Sequence, residues 1–275
     1  MEVKSKNRCS VLISRFMQTK KSLGQHFLNS PKIVDDIVLA GEVKSNDTVL
    51  EIGPGEGVLT EKLLETGAHV ISIEKDDRLI PELQRRFSKE ISIKQFELIH
   101  ADVLDVGLTN IPNGNYKVVA NIPYYITGQI IRMFLECEKQ PTMMTLLIQK
   151  EVADRIVAKD GKESLLSLSV KIFGNPKINR LVGRGAFTPQ PNVDSAVITI
   201  SNINKDKLNG VDEKLFFKII HAGFAHKRKQ LLPNLSNIYN KEDIKISLEN
   251  AGISEKARAE DLKIEDWIKL CKFIL

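Results

Sequence analysis

The segment of this chain whose residue types most directly suggest chemistry is Glu51-Ile52-Gly53-Pro54-Gly55-Glu56-Gly57. Its glycines suit a tight turn whose backbone must touch a ligand, because no Cβ blocks the approach. A dinucleotide site would want G-x-G-x-x-G, yet the position of the third glycine is Val58, which leaves G-x-G-x-G. That spacing favours S-adenosylmethionine over NAD. Glu74 stands 21 positions beyond Gly53, where a carboxylate can accept hydrogen bonds from both ribose hydroxyls. Asp102 follows the next strand-like run and can take the adenine amino group of the cofactor. Either acid alone reads more readily as a solvated strand end. Three successive strand ends with suitable groups on one sheet edge argue together for a nucleotide pocket.

A fourth rim segment, Asn121-Ile122-Pro123-Tyr124, carries groups suited to an unreactive amine. The exocyclic nitrogen of adenine is a poor nucleophile because its lone pair is delocalised into the ring. The side-chain carbonyl of Asn121 and the main-chain carbonyl of Ile122 can accept its two hydrogens and favour a tetrahedral nitrogen, while Pro123 stiffens the turn. Catalysis then rests on positioning and needs no strong general base. Tyr124 is expected to stack on a base drawn out of its own stack, with Phe187 of Ala186-Phe187-Thr188-Pro189 as a second aromatic partner. Stacking worth roughly 1–3 kcal/mol per base suits a loop or single-stranded target better than a duplex. The competing reading for both aromatics is ordinary core packing.

These residues need a parallel sheet to bring them together. Strand-like runs at 48–52, 69–73 and 96–100 alternate with helix-like segments at 59–65 and 79–87, giving the β-α-β-α-β order of a sheet covered on both faces. The alternation continues through strands at 117–120 and 143–148 and helices at 129–135 and 152–158. Ser30-Pro31 opens an earlier helix, with Ile33, Val34, Ile37 and Val38 on one face. Two later strands, 178–182 and 196–200, flank a proline-rich loop, and a polar stretch at 202–212 reads as a linker. Beyond it the periodicity is helical only. The fold class expected is α/β, a Rossmann-like S-adenosylmethionine-dependent methyltransferase sheet with a small all-helical C-terminal domain. The divisions expected are a basic arm at 1–20, a catalytic domain at 21–205 and a helical domain at 206–275.

The 275 residues, 42% hydrophobic and 27% charged, describe an ordinary globular protein. No apolar run approaches the roughly 20 residues of a membrane helix, and none near the start matches a signal core, so a cytoplasmic setting is expected. Cys9, Cys137 and Cys271 have no metal-site spacing and read as inert thiols, and no metal is expected. Residues 1–30 hold six basic side chains against Glu2, a local balance equal to the whole-chain net charge of +5. Such an arm can grip phosphates, serve as an organellar presequence or be a solvated tail.

Taken together, the sequence resembles the bacterial small-subunit (16S) rRNA adenine dimethyltransferases from about Lys20 to the C-terminus. The likeness is carried by Lys21-Ser22-Leu23-Gly24-Gln25-His26-Phe27-Leu28, the glycine loop, Asn121 to Tyr124, Gln149 to Arg155, Phe187 to Pro191 with Val193 to Val197, and Phe224-Ala225-His226-Lys227-Arg228-Lys229. The resemblance implies two successive methylations on each of two adjacent adenines, in a hairpin loop near the 3′ end of small-subunit rRNA within the assembling 30S particle. S-adenosylmethionine is the implied donor and S-adenosylhomocysteine the product. The resemblance also implies that His26 and Leu28 join Gly53, Gly55, Glu74, Asp102 and Asn121 around the cofactor, and that Lys227, Arg228 and Lys229 lie near phosphates. A monomer is expected. The chain departs from the family's usual Y-G-R-L-S-V at Leu165-Leu166-Ser167-Leu168-Ser169-Val170. Two rivals remain: a large-subunit rRNA adenine methyltransferase of the macrolide-resistance type, and a non-catalytic assembly or transcription factor on the same fold.

Overall fold

The computed structural model describes residues 26–106, 112, 114–226 and 228–274. The basic arm, Cys9, most of the Lys21–Leu28 segment and Lys227 lie outside the described residues. The chain opens with β1 (Phe27–Leu28) and α1 (Pro31–Ala40), then β2 (Thr48–Ile52), α2 (Val58–Glu65), β3 (His69–Glu74), α3 (Ile80–Arg86), α4 (Ser88–Ser92) and β4 (Phe96–His100). It continues through α5 (Val103–Val106), β5 (Lys117–Asn121), α6 (Thr127–Glu136), β6 (Met143–Gln149), α7 (Lys150–Val157), α8 (Leu165–Lys171), β7 (Asn175–Val182), β8 (Phe187–Thr188) and β9 (Ser195–Ser201). Four helices close it: α9 (Glu213–Gly223), α10 (Leu231–Leu235), α11 (Lys241–Ala251) and α12 (Ile264–Phe273).

Seven strands form one sheet in the order β4-β3-β2-β5-β6-β9-β7. The first five run parallel, as the alternating pattern predicts, while β9 lies antiparallel between β6 and β7. The reversal has a simple cause. A parallel neighbour needs a crossover, usually a helix, whereas residues 183–194 return the chain from β7 to β9 without one. Strand side chains alternate between faces. Val49, Val70, Val119 and Leu147 pack with apolar residues of α1, α2 and α3, and Leu50, Ile71, Val118 and Leu146 with those of α6, α7 and α8.

Helix α1 buries Ile33, Val34, Ile37 and Val38, the face read from its spacing. Ser30 has the extended backbone of an N-cap, but its side chain makes no capping hydrogen bond; Pro31 at the first helical position supplies the start signal. In the helical C-terminal part, Asp212 and Asn240 do cap, accepting from Leu215 N and from Glu242 and Asp243 N. The 202–212 stretch is not a free linker. Leu208 and Val211 are buried in the apolar cluster that runs from the sheet into α9, α11 and α12. Lys207 Nζ donates to the carbonyls of Lys171 and Gly174 at 2.8 Å each, tying the stretch to α8 and the turn after it. Polarity marked this segment as a connection, and two apolar residues and one snorkelling lysine anchor it. Cys137 and Cys271 are buried and unbridged; burial pushes the Cys271 thiol up to about 12.

Candidate functional site

The sheet order reverses at β2, whose neighbours are β3 on one side and β5 on the other. An open parallel sheet has its crevice at the carboxyl ends of such strands. A pocket sits there, and His26, Leu28, Gly53, Gly55, Glu74, Asp102 and Asn121 all line it. Six of the seven hang from the ends of β2, β3, β4 and β5 or from β1. His26 directly precedes β1, which reaches the pocket only because it pairs with β8, Leu28 opposite Phe187.

The glycine loop is built for close approach. Gly53 has φ +66°, and a Cβ there would meet no atom of the described residues within 4 Å, which leaves the wall beside it room for a ligand. Gly55 also has positive φ, but the space a Cβ would take is filled by the Phe27 ring at 3.2 Å. Glu74 is buried, and its carboxylate is already held by two backbone donors, Gly55 N at 3.2 Å and Asp76 N at 2.7 Å. Burial raises its pKa, with those N–H groups working against the rise. The lone pairs left over can accept from vicinal hydroxyls. Asp102 accepts from Leu104 N at 2.9 Å and pairs with Lys75 Nζ. Burial opposes its charge, but the Lys75 and Leu104 hydrogen bonds outweigh burial and hold the carboxyl below its usual range.

Asn121 and Tyr124 meet the pocket at its other end. Asn121 Nδ2 donates to the His26 carbonyl at 3.3 Å, which fixes the amide so that Oδ1 remains an acceptor. Tyr124 is held at both ends of its ring: its hydroxyl bonds Ser195 Oγ at 2.6 Å, and the His26 ring stacks on it with centroids 5.7 Å apart. His26 is itself fixed by a 2.7 Å bond from Nδ1 to the Pro189 carbonyl.

Phe187 is placed differently from the expectation of an open stacking surface. It is 3% exposed and packs in the core cluster with Leu28 and Val182, and it is absent from the pocket wall. The reason is the β1–β8 pairing, which turns its side chain into the layer beneath α1. The exposed aromatic at the pocket mouth is instead Tyr125, 62% accessible.

Sequence reasoning missed pocket residues besides Tyr125, among them Phe27, Lys75 and Glu51. Phe27 was read only as part of a motif, yet it shields the glycine loop. Lys75 occupies Asp102. Glu51, the first residue of the glycine segment, is 1% exposed and accepts from the Ser72 and Thr60 hydroxyls at 2.6 and 2.7 Å. A charged residue inside an apolar strand was the available signal for Glu51. The pairings that place Phe27 and Lys75 left no local signal.

The remaining expected residues lie elsewhere. Arg228 and Lys229 are exposed on the turn after α9, and Asn234 Nδ2 pins that turn by donating to the Gly223 and His226 carbonyls at 2.6 and 3.2 Å. The departing segment 165–170 falls in α8, capped by Ser164, and lines a shallow groove against α6 and α9 rather than the main pocket.

The rim fits an adenosyl sulfonium donor: an acid for the ribose, an acid beyond it for the base, an open glycine wall and an amide at the reacting end. The comparisons agree in kind. The family model for ribosomal RNA adenine dimethylase matches residues 16–275. A ribosomal RNA small subunit methyltransferase A from Dehalococcoides mccartyi is 42% identical over 259 residues, spanning 93% of this chain and 88% of that protein. Its namesake from Fusobacterium nucleatum is 40% identical over 257 residues, 92% and 96% of the two chains. Among solved structures, a dimethyladenosine transferase from Plasmodium falciparum superposes with a TM-score of 0.78 at 29% identity, covering 89% of this chain and 96% of its own. The 23S rRNA methyltransferase ErmE gives 0.74 at 27% identity, covering 90% and 99%. A match over nearly the whole length, with these relatives beside it, means that the chain belongs to the ribosomal RNA adenine dimethylase family.

Proposed function

We propose that this protein transfers methyl groups from S-adenosylmethionine to the N6 amino groups of two adjacent adenines, in a hairpin loop near the 3′ end of small-subunit rRNA, during assembly of the 30S particle in the cytoplasm. The observation that carries the proposal is the fixed amide of Asn121 on the same rim as Glu74. When bound, the donor supplies an electrophilic methyl group on a sulfonium.

The protein's own residues do the rest. Glu74 and Asp102 orient the adenosyl portion, and Gly53 allows the backbone to close on it. Asn121 Oδ1 and the Ile122 carbonyl accept the hydrogens of the target amine, which favours the tetrahedral nitrogen that attack requires. Tyr124, clamped by Ser195 and His26, offers a rigid ring face to the extruded base. No side chain with a strong base is needed, since the methylated amine loses its proton readily. Residues 206–275, with Arg228 and Lys229 exposed on one turn, serve as the rRNA-holding part, and Lys227 belongs to the same proposal.

The test is direct. Pure protein with labelled S-adenosylmethionine is incubated separately with under-modified small subunits and with large subunits, and the label is located by mass spectrometry. Dimethyladenine at two adjacent sites in small-subunit rRNA is expected. Label on the large subunit alone would transfer the protein to the macrolide-resistance type, and no label on either would leave a binding role.

A further inference from the structure

Glu51 takes no part in the roles above, yet it is the most deeply buried ionisable group of the pocket wall. Its Oε2 receives both hydroxyl donors, from Ser72 on β3 and Thr60 on α2. Its Oε1 is buried with no hydrogen-bond partner among the described residues. An ionised oxygen in that position is costly unless something positive meets it. The charged and titratable groups among the described residues of the pocket wall do not supply this. Glu74 and Glu56 are acids, Asp102 is committed to Lys75, and Lys75 is the one lysine or arginine among the described lining residues. His26 directs Nδ1 to Pro189, and Tyr124 directs its hydroxyl to Ser195. Burial therefore pushes the Glu51 carboxyl up to about 7, the two hydroxyls working against the rise and the nearby Glu74 adding to it.

We infer that Glu51 is the counter-charge for the cationic end of the methyl donor, holding a proton in the ligand-free protein near neutral pH and releasing it to solvent when the donor binds. The inference rests on the reading that this pocket takes S-adenosylmethionine. The unpartnered oxygen belongs to a wall residue of a pocket whose proposed ligand brings a sulfonium and an ammonium group, and the one lysine among the described lining residues is held by Asp102. The only bond that changes in the protein is the carboxyl O–H, whose proton passes to buffer. Glu51 thus makes the pocket selective for a cationic adenosyl compound over a neutral one, and makes its affinity pH-dependent.

The experiment is calorimetric titration with S-adenosylmethionine in buffers of low and high ionisation enthalpy. With an ionisation near pH 7, the wild type is expected to release roughly nine-tenths of a proton more than Glu51→Gln at pH 6, and roughly one-tenth more at pH 8. Its Kd should weaken about tenfold between pH 8 and pH 6 relative to that of Glu51→Gln. The neutral 5′-methylthioadenosine should bind the wild type with a heat independent of buffer, which keeps the test valid if the variant does not fold. S-adenosylmethionine binding without proton release, or equal release with 5′-methylthioadenosine, overturns the role of Glu51 while leaving the donor pocket intact. Failure of S-adenosylmethionine to bind at all overturns the pocket reading and this inference with it.

Discussion

Two glycines of the same loop are required for different reasons, and alanine at each separates them. Gly53 and Gly57 have φ values of +66° and +81°, so either substitution forces an L residue into the left-handed region at a cost of about 1–2 kcal/mol. At Gly57 there is a second cost. A Cβ there would lie 2.6 Å from Phe87 Cε2 and 3.0 Å from Leu83 Cδ2. Phe87 is buried and held edge-on to Phe96 with centroids 5.3 Å apart, so it cannot swing aside, and overpacking adds about 1–3 kcal/mol. At Gly53 the added methyl meets no atom of the described residues but stands on the pocket wall. Denaturant melts should therefore place Gly57→Ala below Gly53→Ala in stability by about 1–3 kcal/mol. Calorimetry with S-adenosylmethionine should reverse the order, with Gly53→Ala losing most of its affinity. Equal stabilities would refute the packing argument, and wild-type affinity in Gly53→Ala would refute the placement of the ligand.

Other perturbations follow from the same geometry. Asn121→Ala should bind the donor nearly as well as the wild type yet turn over roughly 100-fold more slowly, as removing one hydrogen-bonding group aimed at a reacting centre does elsewhere; single-turnover rates decide this, and normal turnover removes Asn121 from catalysis. Glu74→Ala should weaken donor binding by about 100-fold, from the loss of hydrogen bonds to a charged acceptor, and unchanged calorimetric affinity counts against the ribose contact. Replacing Arg228 and Lys229 together by alanine should flatten the salt dependence of RNA binding by roughly 0.7 per lost phosphate contact; an identical slope makes them solvated surface. Glu51→Gln should change how the ligand-free protein's stability depends on pH. A carboxyl raised on folding from 4.5 to about 7 contributes its full share below pH 4.5 and loses it as pH climbs through 7. The variant's stability should therefore gain on the wild type by about 3 kcal/mol between pH 4.5 and 8, read as a widening gap in melting temperature. A constant gap would show that folding does not raise the Glu51 pKa.

Much of this arrangement is local and could be read in the chain. The strands at 48–52 and 96–100 announce themselves as short apolar runs, and the buried face of α1 by spacing. The glycine loop, Glu74, Asp102 and Asn121 are legible because each ends a strand, and parallel strands of one sheet must bring their carboxyl ends to one rim. Helix α8 escaped notice because Leu165 to Val170 is short and its leucines obey no clear period, so its start rests on the Ser164–Ser167 cap alone.

Tertiary structure decided what depends on pairing across long sequence separations. The two-residue strands β1 and β8 join positions some 160 residues apart, and that contact carries His26 onto Tyr124 and Phe27 onto Gly55. It also buries Phe187, leaving Tyr125 as the open aromatic at the pocket mouth. The partners of Glu51, Asn121 and Asp102 were settled in the same way. Periodicity tells a side chain which face of its own element it occupies. Whether that face meets solvent, a neighbour or a ligand depends on which distant segment packs against it, and in this chain that decides which residues of the rim stay free to act.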